Sequence, residues 1–212
     1  MSIHTTDPPE TYGQAPGVLP RLLEPFSRRA RAHRIEQFRT LTGAGSDTRI
    51  VDIGCGGFGL ISLAADLDIT GVDLHERPEY PGPLVQADAT ARLPFGDDEF
   101  DVAYCNSVIE HIDPPLRQGF ARELRRVARG WYVQTPAIGF PIEPHSLLPG
   151  AHWLPKRLRR PYWRLGAGSD VEEISLLRRR EFETLFGPAF PERFGPFTKS
   201  WISVRRPGDP AA

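Results

Sequence analysis

The chain has 212 residues, of which 40% are hydrophobic and 25% charged, a length and composition that fit one soluble globular domain. A formal net charge of −1 argues against a general nucleic-acid binder, and no apolar run is long enough to span a bilayer. Cys55 and Cys105 are the only cysteines, too few for a disulfide framework, so two reduced, buried thiols are expected.

The N-terminus, MSIHTTDPPE, is polar and proline-rich and does not read as a secretory signal; the expected location is cytoplasmic. Residues 1–18 read as a flexible arm and 19–206 as a single domain, with 207–212 a flexible tail. From Arg21 to Leu41 the apolar residues Leu22, Leu23, Phe26, Ala30, Phe38 and Leu41 recur at helical spacing, and Thr42-Gly43-Ala44-Gly45 ends the run. Strands and helices then alternate. "RIVDIG" reads as a buried strand and residues 57–65 as a helix. "DITGVD" is a second strand ending at Asp73, "PLVQAD" a third ending at Asp88, and "FDVAYCN" a fourth ending near Asn106. "IDPPLRQGFARELRRVAR" reads as an amphipathic helix with Asp113 as N-cap and Pro114 at its first position. "GWYVQTP" is a fifth strand, and the rhythm predicts an α/β, doubly wound, mostly parallel sheet. Residues 136–170 break it, with six prolines, Trp153, Trp163 and the cluster Lys156-Arg157-Leu158-Arg159-Arg160; they read as a substrate-side insertion or lid. Residues 172–186 read as a helix and "FTKSWISVRR" as a last strand.

Chemistry concentrates at the strand ends, where ligands bind in sheets of this kind. Gly54, Gly56 and Gly59 in "VDIGCGGFG" fit G-x-G-x-x-G, a spacing shared by several nucleoside-cofactor families. Asp73, ending the second strand, suits a ribose in any of them. Asp52, two residues before the first glycine, is unhelpful beside a pyrophosphate but suits a ligand carrying an ammonium and a sulfonium. Asp88-Ala89 offers an acceptor for an adenine amino group.

Taken in order, "VDIGCGGFG", "ITGVDLHE", "VQADATARLPFGDDEFDVAYCNSVIEHI" and "GWYVQTP" resemble the class I S-adenosylmethionine-dependent methyltransferases, in the type 11-like branch. The resemblance implies a Rossmann-like seven-stranded sheet with one antiparallel strand. It also implies that Asp52, Gly54, Cys55 and Gly56 line the methionine part of S-adenosylmethionine and that Asp73 binds the ribose, with Leu74 beside the adenine. Asp88 and Ala89 would recognise the adenine; Asn106, Ser107 and Ile109 would close the pocket behind the methyl group. "IDPPL" is similar to the (N/D)PP(Y/F) motif of base methyltransferases, but Leu116 lacks the stacking ring and Asp113 lies seven residues beyond Asn106, so it reads as a helix start.

For the acceptor, "PIEPHSLLPGAHWLP" is similar to a segment of bacterial methyltransferases linked to glycan or envelope biosynthesis. His145 is the candidate general base, with Glu143 beside it and His111 as another histidine within reach of the site. Asp113, Glu143 and His145 are also donors of the kind Mg²⁺ accepts, although no local spacing marks a site. His152 and Trp153 read as packing residues or a sugar platform; His4, His33 and His75 read as surface. Arg157, Arg159, Arg160 and Arg164 form either a solvated face or a contact to an anionic or sugar substrate. The arginine-rich composition (Lys156 and Lys199 are the only lysines) suits a GC-rich, actinobacterial genome. The expected activity is O-methylation of a small-molecule or oligosaccharide substrate at a sugar or glycolipid hydroxyl. A quinone, lipid or other small metabolite is the alternative acceptor, and a non-catalytic cofactor-binding subunit the alternative class. A homodimer is compatible with either.

Overall fold

The computed structural model describes residues 32–143, 146–164, 166 and 174–209. Seven strands form one sheet: β1 (Arg49–Ile53), β2 (Asp68–Asp73), β3 (Leu84–Gln86), β4 (Phe100–Asn106), β5 (Ala128–Pro136), β6 (Ala189–Phe194) and β7 (Phe197–Arg205). Their spatial order is β3-β2-β1-β4-β5-β7-β6. β7 runs antiparallel to both neighbours, and the other pairs are parallel. This is the Rossmann-like, mostly parallel architecture expected, with β7 as its one reversed strand.

Side chains alternate between two cores because successive strand residues point to opposite faces. Val51, Ile53, Ala103, Cys105, Trp131 and Val133 face α2 (Arg117–Val127) and α4 (Arg179–Phe186). Ile50, Val102, Tyr104 and Tyr132 face the helix at 32–42, called α1, through Phe38. Phe38 is fully buried and meets Tyr104 and Tyr132 edge-on at 5.2 and 5.7 Å, while the two tyrosines stack at 5.5 Å. Burying such a ring contributes about 2–3 kcal/mol, which pins α1 to the sheet. α1 stops where Gly43 adopts φ 76° and donates to the Arg39 carbonyl. The Arg21–Arg31 part of the expected helix lies outside the described residues, as do the 1–18 arm, His4 and residues 210–212 of the tail. Both cysteines are buried free thiols.

Four local expectations are corrected. Residues 57–65 form consecutive turns, because Gly56 and Gly59 take positive φ and the Leu60 N–H is spent on the Asp52 carboxylate. Asp113 does not cap a helix: Pro114 and Pro115 have no N–H to offer, so a 3₁₀ turn (Pro114–Leu116) intervenes and α2 begins at Arg117. The C-terminal helix starts at Arg179, since Ser175 is drawn into tertiary bonds, its N–H donating to the Glu110 carbonyl and its own carbonyl accepting from Arg117. Finally, Ala189–Phe194 is a strand that sequence reading passed over; it is an edge strand, which tolerates Pro191.

The insertion after β5 is compact where described. Ile142 bridges Pro149, a 3₁₀ turn covers Ala151–Trp153, and α3 spans Lys156–Trp163. Among the described residues, no helix is long and apolar enough to cross a membrane.

Candidate active site

Four loops gather at the carboxyl ends of β1, β2, β3 and β4. The first leaves β1 through Gly54 and Gly56, at φ 75° and 61°, where an L side chain would be strained. The two glycines do different work. A Cβ on Gly54 would collide with Val108, so Gly54 lets the β4 loop pack close; a Cβ on Gly56 would meet nothing within 4 Å, so its Cα faces open space. The Gly56 N–H donates to Asp73 Oδ2 at 2.9 Å, tying the glycine loop to the end of β2.

Asp52 is 2% exposed and its Oδ2 accepts from the Leu60 N–H at 2.6 Å. Burial, reinforced by the neighbouring Asp73 charge, pushes this carboxyl up to about 7 despite the Leu60 bond. Asp73 Oδ1 accepts from the His75 N–H at 2.9 Å and from Arg77 Nε at 3.1 Å. Two residues of this shell escaped sequence reading. Arg77, four residues past Asp73, neutralises its charge. Tyr80 is buried with no hydrogen-bond partner for its hydroxyl among the described residues, and it packs against Gly59 and Gly71 beside Asp52 and Cys55. Burial raises the Tyr80 and Cys55 protonation constants, keeping both groups neutral. The i,i+4 spacing of Asp73 and Arg77 was a local signal for the first; nothing local marked Tyr80.

Leu74 is 56% exposed, a bare apolar surface next to Asp73, with its carbonyl held by Gln86 Nε2. Asp88 is exposed, and its Oδ1 accepts from the N–H and hydroxyl of Thr90; Ala89 packs against the core. Asn106 ends β4 with its Oδ1 buried and, among the described residues, without a hydrogen-bond partner. Ser107 follows at φ 58°, its N–H donating to the Gln134 carbonyl. Ile109 is fully buried in the main core.

The residues singled out for acceptor chemistry are placed differently. His145 and Pro144 lie outside the described residues. Glu143 is fully buried, and its Oε2 accepts from the Ser146 N–H at 2.5 Å and the Ser146 hydroxyl at 2.7 Å. That carboxylate therefore ties Ser146 back to Glu143. His111 and Asp113 are exposed in the turns after β4, and His33 and His75 are exposed as expected. His152 Nε2 lies 3.1 Å from the Ile138 carbonyl, so this nitrogen carries the proton, and burial lowers the ring's protonation constant. Trp153 is not core packing: it is 56% exposed, with its indole N–H held by the same carbonyl at 2.8 Å. Gly150, at φ 63°, turns the chain so that the small Ala151 is buried and the indole stays outside.

The residues at these strand ends fit S-adenosylmethionine on observations independent of the motif. Gly56 leaves space, Asn106 Oδ1 lacks a donor among the described residues, and Asp52 and Asp73 supply acid where a cationic ligand and ribose hydroxyls would lie. A Mg²⁺ site on Asp113, Glu143 and His145 is not supported in the same way. Glu143 Oε2 is engaged by Ser146, and among the described residues no three His, Cys, Asp or Glu side chains are grouped to hold a metal.

Residues 51–130 match a family model described as a methyltransferase domain. The ubiquinone biosynthesis O-methyltransferase of Bordetella avium (strain 197N) is 30% identical over 100 residues, 39% of each protein, so the match spans about two fifths of that relative. A solved protein from Pyrococcus horikoshii OT3 superposes with a TM-score of 0.55 at 20% identity, over 84% of this chain and 90% of that one. A SAM-dependent methyltransferase from Archaeoglobus fulgidus gives 0.51 at 16% identity, over 80% and 72%. The two structures share the fold.

Proposed function

We propose that this protein, whose residues 51–130 match a methyltransferase-domain family model, is a class I S-adenosylmethionine-dependent methyltransferase that methylates a hydroxyl oxygen on a small apolar acceptor of the quinol or phenol kind. The observation that carries the donor half is the open, left-handed turn at Gly56, anchored through its N–H to Asp73. The acceptor half rests on the Bordetella relative, whose name states an O-methyltransferase of ubiquinone biosynthesis. That relative favours the quinone class over the sugar.

S-adenosylmethionine supplies a methyl group already activated on a sulfonium. The chain's work is then to bind, orient and exclude water. In this reading Asp73 holds the ribose hydroxyls, Leu74 and Ala89 flank the adenine, and Asp88 accepts from its amino group. Gly54, Cys55 and Gly56 pass the chain close to the methionine end, and Asp52 offsets its positive charge. Asn106 Oδ1 accepts a proton donor there, while Ser107 closes the floor. His145 takes the acceptor's hydroxyl proton, and Glu143, through Ser146, positions the loop that carries it. His111, on the turn after β4, is the second proton acceptor considered.

A sugar hydroxyl is the second reading. It is favoured by the exposed indole of Trp153, fixed by the Ile138 carbonyl as a flat stacking surface. The test is transfer of labelled methyl from S-adenosylmethionine to a panel of quinols, catechols, and free and partly methylated sugars. Label on the quinols or catechols is expected. Label confined to sugars moves the assignment to the second reading, and no binding of S-adenosylmethionine alongside binding of NADH ends both.

A further inference from the structure

The insertion after β5 carries a surface that neither the pocket nor the core uses. α3 reads KRLRRPYW and has no acidic residue. Trp163 points inward at 3% exposure and Tyr162 bonds the Pro149 carbonyl, which fixes the helix's inner side. At 100° per residue, Arg157, Arg160 and Pro161, and Arg164 just beyond the helix, fall on the opposite arc, and all four are exposed. Among the described residues, the side chains of Arg157, Arg159, Arg160 and Arg164 make no ion pair or hydrogen bond. Arg39, Arg126, Arg129 and Arg179, by contrast, are all paired.

Apolar side chains of the same insertion also stand exposed: Leu158 at 59%, Trp153 at 56%, Leu147 at 43% and Ile138 at 38%. Phe194 and Phe197, at 64% and 46%, join them from the β6–β7 turn, which an edge-on contact between Phe140 and Phe194 holds against the insertion. Leu147 has φ 58°, a conformation that opposes a leucine; the Ser146 turn held by Glu143 maintains it, with the side chain outside. Strain retained to present an apolar side chain to solvent marks a working surface. The whole patch sits at the carboxyl end of β5, the edge of the sheet that also carries the glycine loop.

We propose that this patch docks the protein peripherally on an anionic membrane surface, with Arg157, Arg160 and Arg164 on lipid phosphates and Leu147, Trp153 and Leu158 in the interface. The combination decides the occupant. Nucleic acid would use the arginines and leave the leucines in water. A second copy related by two-fold symmetry would bring arginine face against arginine face. An interface offers phosphates above and hydrocarbon below, and indoles settle at that boundary. The inference does not depend on the acceptor, because docking is read without turnover.

The test is co-sedimentation of the full chain with vesicles of phosphatidylcholine alone and of phosphatidylcholine mixed with phosphatidylglycerol. Binding is expected only with the mixed vesicles, weakening as salt rises. Each arginine near such a surface is worth roughly fivefold in partitioning, so R157E/R160E/R164E is expected to lose binding by tenfold or more. L147S/L158S is expected to weaken it at unchanged charge. Both variants should keep the wild-type melting temperature and S-adenosylmethionine affinity. Absence of wild-type binding to mixed vesicles overturns the proposal, as does a charge-reversed variant that binds like wild type. So does displacement from the vesicles by duplex DNA at equal charge, or loss of binding in step with dimer dissociation.

Discussion

Asp52 is the residue on which the proposed donor site and stability meet. Its carboxyl is raised from the ordinary 3.8 to about 7, chiefly by burial. Between those two values the folded chain holds a proton that the unfolded chain has released, so stability falls as pH rises from about 4 to about 7. The span corresponds to a contribution on the order of 4 kcal/mol. Asp52→Asn keeps an oxygen for the Leu60 N–H and removes the titration. The ligand-free variant is expected to lose most of this pH slope and to melt above wild type at pH 8, while binding S-adenosylmethionine more weakly. Thermal unfolding from pH 5 to 8 checks the first part; an unchanged slope would assign the raised carboxyl elsewhere. The glycines beside it separate space from strain. Gly54→Ala drives a methyl into Val108 and should cost stability, about 2 kcal/mol or more, since both strain and overpacking apply. Gly56→Ala meets only the left-handed strain of about 1–2 kcal/mol, and its methyl enters open space. Its larger effect should be on donor affinity, and calorimetry beside urea unfolding distinguishes the two variants.

At the scale of elements, what could be read in advance follows the range of the forces involved. β4 was read to its residue limits, since a strand buried on both faces is a continuous apolar run ending in a turn. The acids at the ends of β1 and β2 were equally plain, their meaning set by position on a strand. β6 was not, because an edge strand with Pro191, Glu192 and Arg193 has no such run. Nor was the loss of helix over 174–178, which depends on partners far along the chain. Arg117 is the chief of these. Its side chain is 3% exposed and donates to the Ile112 and Ser175 carbonyls and, at 2.6 Å, to Glu181. It joins the start of α2 to the start of α4, a tie invisible in a sequence where arginine is common. Arg117→Met keeps the length of the stem but leaves two carbonyls and a carboxylate without their donor. The expected loss is roughly 3 kcal/mol in urea unfolding, with α4 gaining hydrogen exchange before the sheet does. A loss under about 0.5 kcal/mol, the usual range for surface changes, would mean water replaces the guanidinium at no cost. Trp153 shows the same limit within the site: its tryptophan identity suggested core, and only Gly150 and the Ile138 carbonyl explain why it stands outside.

Over the whole molecule, the sheet separates two tasks. Its middle and amino-terminal edge are core, packed on both faces by α1, α2 and α4, and its carboxyl edge holds the turns that make up the proposed donor site. A ligand bound to the folded state alone adds stability as RT ln(1 + [L]/Kd), about 2.7 kcal/mol at a hundredfold excess over Kd. S-adenosylmethionine and its demethylated product should therefore both raise the melting temperature of wild type, and NADH should not. The gain should also be local. Amide exchange is expected to slow in the turns after β1, around Asp73–Arg77, at Asp88–Thr90 and at Asn106–Val108, where the hydrogen bonds of Gly56, His75, Thr90 and Ser107 already define the pocket wall. Exchange in α1 and in β6 should change little, since α1 packs on a face of the sheet through Phe38 and β6 is the far edge strand, separated from those turns by β5 and β7. Protection spread evenly over the sheet would signal general tightening without a site at these turns. Protection centred on α1 would place the ligand on the wrong side of the molecule, and the assignment of Asp52, Asp73 and Asn106 to the donor would fall with it.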